Sequence, residues 1–375
     1  MEKKKVLLTA TVQSHICQFH KPLADVLHAH GYEVHVAARD NLAEKNGLSL
    51  DFVDKVYDVP FARSPKSPDN LRAYRELKKI LNWEHFDVIH CNTPMGGIVT
   101  RLAALKARKQ GTKVFYTAHG FHFYKGAPKK NWLVFYPIEK LFSRITDTLI
   151  TITHEDYALA SEKFHCEVAH MHGVGVDENR YHSVSRGERN ALRAELGFTE
   201  DQKILLCIGE LLPNKNQTMA IRVMDVIRRA YPDALLLIAG NGPEKENLEE
   251  LIAQLNLEGN VRLLGYCTNL QTYQAIADVL VSCSRREGLP LNIVEAMLSG
   301  NPVVATQNRG HRELIREDEN GFLVAVNDDT AMANRILKLL GSEEECRRIG
   351  ETACAFAKQY GFTNVKRQLE EIYFG

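Results

Sequence analysis

Short, β-rich apolar runs alternate with helix-patterned stretches along the whole chain, and the rhythm starts twice. In the first half the runs are Lys5–Thr9, Glu33–Ala38, Lys55–Asp58, Val88–His90, Lys113–Thr117, Thr148–Thr153 and Val168–His170, with helical periodicity over 19–30, 69–82 and 97–110. Parallel strands can be joined only by long crossovers, usually helices, so this alternation predicts a parallel sheet covered on both faces. A polar stretch, Gly173–Ser185, then carries Gly-Val-Gly-Val-Asp and reads as a hinge. The rhythm restarts with Ile204–Gly209, a helix over 215–230, Ala234–Ala239, Val261–Leu264, Val279–Cys283, Val303–Thr306 and Phe322–Val324. The expected fold class is therefore α/β with two doubly wound, Rossmann-like domains, 1–185 and 186–360. At 375 residues and 45% apolar content the chain can bury two cores. Ligands of such sheets bind beyond the carboxyl ends of the strands, so two facing domains would form a central cleft.

The segment 278–306, DVLVSCSRREGLPLNIVEAMLSGNPVVAT, carries the most chemistry. A strand leads into a polar loop, then a helix with Pro290 near its start, where a missing N–H costs least. Gly300 fits the position just past the helix and Pro302 the stop beyond it. Glu287 and Glu295 lie eight residues apart and flank the helix start, with Glu295 expected in the first turn. A helix N-terminus offers free N–H groups and a positive dipole end, which suits a phosphate. Carboxylates beside it would accept hydrogen bonds from hydroxyls. Phosphate donors together with hydroxyl acceptors suit a nucleotide-sugar.

This Glu-x7-Glu pattern, within REGLPLNIVEAMLSGNPVVAT, resembles the signature of family-four retaining glycosyltransferases of the GT-B fold, and the resemblance extends over nearly the whole chain. It implies that Glu287 contacts the donor sugar near the anomeric carbon and that Glu295 binds the ribose hydroxyls. It implies that backbone N–H groups of Gly288, Leu289, Pro290 and Leu291 face the diphosphate. It places the domain 1–185 on the acceptor and 186–360 on the donor, with a C-terminal helix from about 361 to 375 crossing back to the first domain.

Other strand ends extend the comparison. Gly209-Glu-Leu-Leu-Pro-Asn-Lys215 leaves a strand and opens a helix; the resemblance gives Lys215 the role of neutralising the diphosphate as leaving-group charge grows. Glu210 stands where the family often has a basic residue. Gly240 and Gly242 allow close backbone approach near the nucleotide, and Cys267–Leu270 is expected near the base. In the first half, His119 in Thr117-Ala-His-Gly-Phe-His-Phe-Tyr124 matches an acceptor-domain histidine close to the donor sugar, where a neutral imidazole could orient the sugar or the incoming hydroxyl. His122 is a second candidate. His15 follows the first strand, where the family's paired glycines are absent, and no contact is assigned to it.

Composition narrows the partners. Lys+Arg and Asp+Glu both number 47, so no global charge favours nucleic acid. Residues 1–180 nevertheless carry a net +5 and the remainder −5, and fourteen of the 15 histidines lie in the first 182 residues. Lys125, Lys129 and Lys130 flank Trp132, Phe135 and Tyr136, a combination suited to an anionic membrane interface. The eight cysteines lack a Cys-x-x-Cys pair, which predicts free thiols, with Cys207 and Cys283 buried in apolar runs. MEKKKVLLTATVQ turns polar too early for a leader, and no stretch approaches eighteen apolar residues. Asp328-Asp329 precedes a helix with Asp329 as the expected cap, and with no strand-end Asp-x-Asp near the donor site no metal is expected, nor any cofactor.

The reading that follows is a metal-independent retaining hexosyltransferase. Its expected donor is a nucleotide-sugar, taken as a UDP-sugar, and its expected acceptor a saccharide hydroxyl on a polyprenyl diphosphate lipid. The first half, with TAHGFHFYKGAP and NWLVFYPIEK, is similar to bacterial enzymes of exopolysaccharide, capsule or lipid-linked oligosaccharide assembly, which implies a cytoplasmic protein held peripherally on the inner membrane face. Two alternatives stand beside it: a nucleotide-sugar 2-epimerase of similar architecture, and a non-catalytic subunit that kept the fold.

Overall fold

The computed structural model describes residues 3–45 and 47–375. Among the described residues, thirteen strands form two sheets. The first contains β1 (Lys5–Val12), β2 (Glu33–Arg39), β3 (Lys55–Asp58), β4 (Val88–Asn92), β5 (Lys113–Ala118), β6 (Thr148–Thr151) and β7 (Glu167–His170), in spatial order 3-2-1-4-5-6-7. The second contains β8 (Ile204–Ile208), β9 (Leu235–Ala239), β10 (Val261–Gly265), β11 (Val279–Ser282), β12 (Val303–Thr306) and β13 (Phe322–Val324), in order 10-9-8-11-12-13. Every pairing is parallel. Each sheet reverses its order once, between β1 and β4 and between β8 and β11.

The inner strands, such as β8, β9, β11 and β12, read as continuous apolar runs because both faces are covered, whereas the edge strands β3 and β7 are more open to solvent. Successive residues point to opposite sides, so Leu205 joins one core of the second sheet and Leu206 the other. The first sheet behaves likewise: Leu7, Ile89 and Val114 pack with Phe86 on one face, while Cys91, Tyr116 and Ala118 pack with Phe123 on the other.

The chain divides into two compact units, 1–175 with 362–375, and 176–361. Residues 176–185, expected with the first domain, therefore group with the second. The C-terminal helix Phe362–Phe374 belongs to the first unit, where Lys366 pairs with Asp25 at 2.7 Å and the Tyr373 ring meets Phe115 at 4.7 Å. Before that helix, Glu343–Ala357 forms a helix that ends in a tight turn over Lys358–Tyr360.

Helix boundaries depart from the periodicity where proline intervenes. The helix expected over 19–30 is Lys21–Ala29, and a separate helix, Gln13–Phe19, precedes it with non-helical His20 between them. Pro22 explains the break, since proline suits only the first turn and restricts the residue before it. The helix Gln13–Phe19 follows β1 directly, filling the place of a glycine loop. The helix expected over 97–110 starts earlier, at Pro94, and splits at Ala104. Asp328, not Asp329, caps the helix Asp329–Leu340: its carboxylate accepts from the Ala331 N–H at 2.9 Å, while Asp329 pairs with Arg222. All eight cysteines are free, and among the described residues no helix is long and apolar enough to cross a membrane.

Candidate active site

In the second unit the loops after β8 and β11 leave neighbouring strands at the point where strand order reverses, the place where doubly wound sheets bind ligands. These loops carry Lys215 and Glu287, and Lys215 Nζ donates to Glu287 Oε1 at 2.6 Å. Both side chains are largely but not fully covered. Gly209 lies under the lysine stem: a Cβ there would sit 3.3 Å from Lys215 Cδ.

Backbone and amide bonds staple the two loops. The Arg285 N–H donates to Asn214 O at 2.8 Å, Asn214 Nδ2 to Arg286 O at 2.9 Å, and Arg285 Nη2 to Asn216 Oδ1 at 3.1 Å. Asn216 takes the left-handed conformation (φ 54°), which asparagine tolerates, and so turns the chain into the helix Gln217–Ala230. Asn292 Nδ2 reaches Ile208 O at 2.9 Å and ties the second helix to the end of β8. Glu210 is exposed, and its carbonyl accepts from Gln217 Nε2 at 3.1 Å.

The glycines expected beside the nucleotide make their close approach to protein. A Cβ on Gly240 would fall 2.0 Å from Gly209 O, and one on Gly242 2.3 Å from Leu211 O. They let the β9 loop lie against the β8 loop.

Gly288, Leu289 and Leu291 bring backbone N–H groups to the start of the helix Leu291–Leu298, but Pro290 does not, since proline has no N–H. Pro290 is the capping residue, and the Leu289 and Leu291 side chains pack on the core below. Glu295 lies in the second turn of this helix rather than the first. Burial raises its carboxyl to about 7, against Arg180 and the Tyr181 hydroxyl, which favour the charged form. Arg180 also donates to Thr268 O at 2.7 Å and to Gln271 Oε1 at 3.0 Å, linking Glu295 to the Cys267–Leu270 segment. Neither Arg180 nor Tyr181 was legible in the sequence, because the polar hinge around them carries no periodic signal.

A buttress behind Glu287 was also missed. After β12, Asn308 caps the helix Arg309–Leu314 by accepting from the His311 N–H at 3.0 Å, and Asn308 Nδ2 and the Thr306 hydroxyl both donate to Ser284 O. His311 is buried, shares a hydrogen with the Ser282 hydroxyl at 3.1 Å, and is pushed down to about 4 by burial. Gly310 makes room for the loop: a Cβ there would lie 2.5 Å from Gly288 O and 2.8 Å from Glu287 Cβ. The Asn-x-x-His spacing after a strand is an N-cap signal that could have found this element.

In the first unit His119 lies one residue past β5. Its Nε2 lies 3.2 Å from His15 Nε2 and 3.1 Å from Oδ1 of Asn92, the last residue of β4. Burial lowers His119 to about 4 and His15 well below its ordinary value, so both imidazoles are neutral at neutral pH. Beside Asn92, Thr93 holds φ at 62°, a strained setting for a β-branched residue, and its hydroxyl bonds the Thr11 hydroxyl at 2.7 Å. His122 instead stacks on Phe135 at 4.7 Å.

Lys125, Lys129 and Lys130 are exposed, the last two opening the helix Lys129–Phe142. Trp132, expected at the surface with them, is half-buried: it packs on Phe123 and Tyr136, and its Nε1 donates to Tyr124 O at 3.2 Å. The outward face of that helix carries Leu133, Val134 and Leu141, which are 77%, 51% and 61% exposed.

A family model described as glycosyl transferases group 1 matches residues 188–355, and one described as Glycosyltransferase Family 4 matches residues 22–180. The chain is 42% identical over 373 residues to "Putative glycosyltransferase EpsD" of Bacillus subtilis (strain 168), covering 99% of this chain and 96% of that protein. It is 25% identical to an Escherichia coli UDP-Gal:alpha-D-GlcNAc-diphosphoundecaprenol alpha-1,3-galactosyltransferase, over 88% of this chain and 87% of the relative. Among solved structures, Anabaena HepE in complex with UDP and glucose superposes with a TM-score of 0.76 at 21% identity, over 98% of this chain and 99% of that one.

Proposed function

This chain belongs to the group-1 and family-4 glycosyltransferases and has their GT-B fold, and from that premise we propose that it moves a hexosyl group from a UDP-sugar to a hydroxyl of a polyprenyl-diphosphate-linked saccharide, with retention at the anomeric carbon. The observation that carries the proposal is the Lys215–Glu287 pair at 2.6 Å, held by stapled loops at the reversal point of the second sheet. In this reading the Lys215 ammonium and the N–H groups of Gly288, Leu289 and Leu291 take the charge that grows on the departing diphosphate. Glu287 meets the sugar near its anomeric carbon, and Glu295 accepts from the ribose hydroxyls. His119, neutral and steered by Asn92, orients the sugar or the acceptor hydroxyl. The leaving phosphate takes the acceptor proton, so no side chain need be a strong base and no metal is required. The galactosyltransferase relative supports a lipid-diphosphate acceptor.

The helix Lys129–Phe142 supports a membrane contact. Lys130, Leu133, Val134, Pro137, Leu141 and Arg144 fall at near-helical spacing, and each is exposed. Apolar side chains thus lie between cations on one face. Two lysines at a helix N-terminus oppose the helix dipole, a cost of several tenths of a kcal/mol that an anionic surface would offset.

The test is incubation with UDP-sugars, with and without a polyprenyl-diphosphate saccharide. Glycosylated lipid is the expected product. An epimerised donor would make the chain an isomerase, and an unaltered donor across the panel would make it a non-catalytic subunit.

A further inference from the structure

Four histidines converge at the carboxyl end of the first sheet, and the role proposed for His119 leaves the others unexplained. His15 comes from the helix after β1, His20 from the break that Pro22 enforces, and His119 from the end of β5. One ring nitrogen from each lies within 4.8 Å of the other two. His15 Nε2 and His119 Nε2 are 3.2 Å apart. In a tetrahedral zinc site with Zn–N of about 2.0–2.1 Å, ligand nitrogens are about 3.3 Å apart. Two of the three rings therefore already have the edge length of such a site.

The third ring supplies an independent observation. His20 is buried, yet its Nε2 has no hydrogen-bond partner. A buried polar nitrogen with nothing to bond is costly and uncommon, and a metal ion is one of the few things that would satisfy it. Burial holds His15, His20 and His119 in the neutral form that a metal needs. The fourth histidine, His90, is committed elsewhere, sharing hydrogens with the Thr117 hydroxyl at 2.7 Å and with the Tyr373 hydroxyl.

We propose that His15, His20 and His119 form a three-imidazole site for a divalent transition metal of the zinc class. His119 Nε2 gives up its 3.1 Å bond to Asn92 Oδ1, and each ring coordinates through a lone pair with its remaining proton on the other nitrogen, so the site binds without net loss of protons. Three protein ligands leave a fourth position open to water. The ligands are neutral, none is a carboxylate, and the Arg63 guanidinium lies close enough to act on His15. Affinity is therefore expected to fall below that of thiolate-rich sites.

A second histidine group, His154, His170 and His172, provides the control. There the Gln368 oxygen accepts from the His172 backbone N–H at 3.1 Å, which turns its amide nitrogen onto His172 Nδ1 at 2.8 Å and keeps the ring proton on Nε2; His170 Nε2 is buried without a partner as His20 Nε2 is, so this group is the rival that the variants must separate.

The experiment titrates metal-stripped, untagged full-length protein with zinc by calorimetry and with cobalt(II) by visible absorption. One zinc per chain and the intense bands of four-coordinate cobalt are expected. His15→Ala and His20→Ala should each weaken binding roughly tenfold or more, and His170→Ala should leave it unchanged. Because His20→Ala removes a buried ring, the zinc-induced rise in melting temperature is read for His15→Ala, whose ring is part-exposed. Absence of zinc binding by the unaltered protein overturns the proposal. So does binding that survives both His15→Ala and His20→Ala, or that His170→Ala abolishes.

Discussion

Glu295 shows how an identical residue type acquires a different character from its surroundings. Its carboxyl is raised from 4.5 to about 7 by burial. A raised carboxyl binds protons more readily folded than unfolded, so its contribution is most favourable below about 4.5 and is lost as pH rises through about 7. Glu295→Gln should therefore flatten this part of the stability–pH curve and gain on the parent above pH 7, by at most about 3 kcal/mol. Denaturant melts across pH test this. For binding the sign is opposite, since ribose hydroxyls need the ionised form. Affinity for a UDP-sugar, whose diphosphate stays fully ionised, should rise between pH 6 and 8 in the parent and stay flat in Glu295→Gln; equal pH profiles would remove Glu295 from the donor site. His119 makes a second prediction at this scale. His119→Ala should lower turnover by roughly 10²-fold while UDP affinity, assigned to the second unit, barely moves. Near-normal turnover would end the catalytic role of His119.

At the scale of elements, the strands were legible to within a few residues; the inner ones are apolar because both their faces are covered. Helix ends were less so. Pro22 and Pro94 moved two boundaries for reasons of backbone chemistry that periodicity alone does not register. The capping of Asp329–Leu340 slipped by one residue for a similar reason: adjacent aspartates offer the same side chain, and Arg222 takes one of them. The helix Lys129–Phe142 combines both lessons. Its lysines were read correctly as exposed, but Trp132 turned inward, and the residues that face outward are Leu133, Val134 and Leu141. If this face docks on anionic lipid, Leu133→Glu with Leu141→Glu should abolish flotation with phosphatidylserine liposomes. Lys129→Glu with Lys130→Glu should weaken it by about 1 kcal/mol per lysine, in a salt-sensitive manner. Unchanged flotation of the leucine variant would return that face to solvent.

For the molecule as a whole, the tail ties the last residues of the chain to the first unit. Val365 and Leu369 are buried, each stabilising by roughly 1.5–3 kcal/mol. Ending the chain at Gly361 should therefore lower the melting temperature of the first unit while the second, contiguous over 176–361, still binds UDP. Calorimetry that shows one transition falling and one unmoved is the expected record; loss of UDP binding would place the tail in the donor site's support. The sequence by itself determined the two doubly wound units and singled out Glu287, Lys215 and His119 as candidates at strand ends. These follow from local periodicity, helix-start chemistry and one resemblance. Only the tertiary structure decided which partners those residues meet: Lys215 on Glu287, His15 and Asn92 on His119, Arg180 and Tyr181 around Glu295, and Gly310 behind the Glu287 loop. Parallel sheets join strand ends that are dozens of residues apart, so the neighbours in a site are set by strand order, and no local pattern encodes that order.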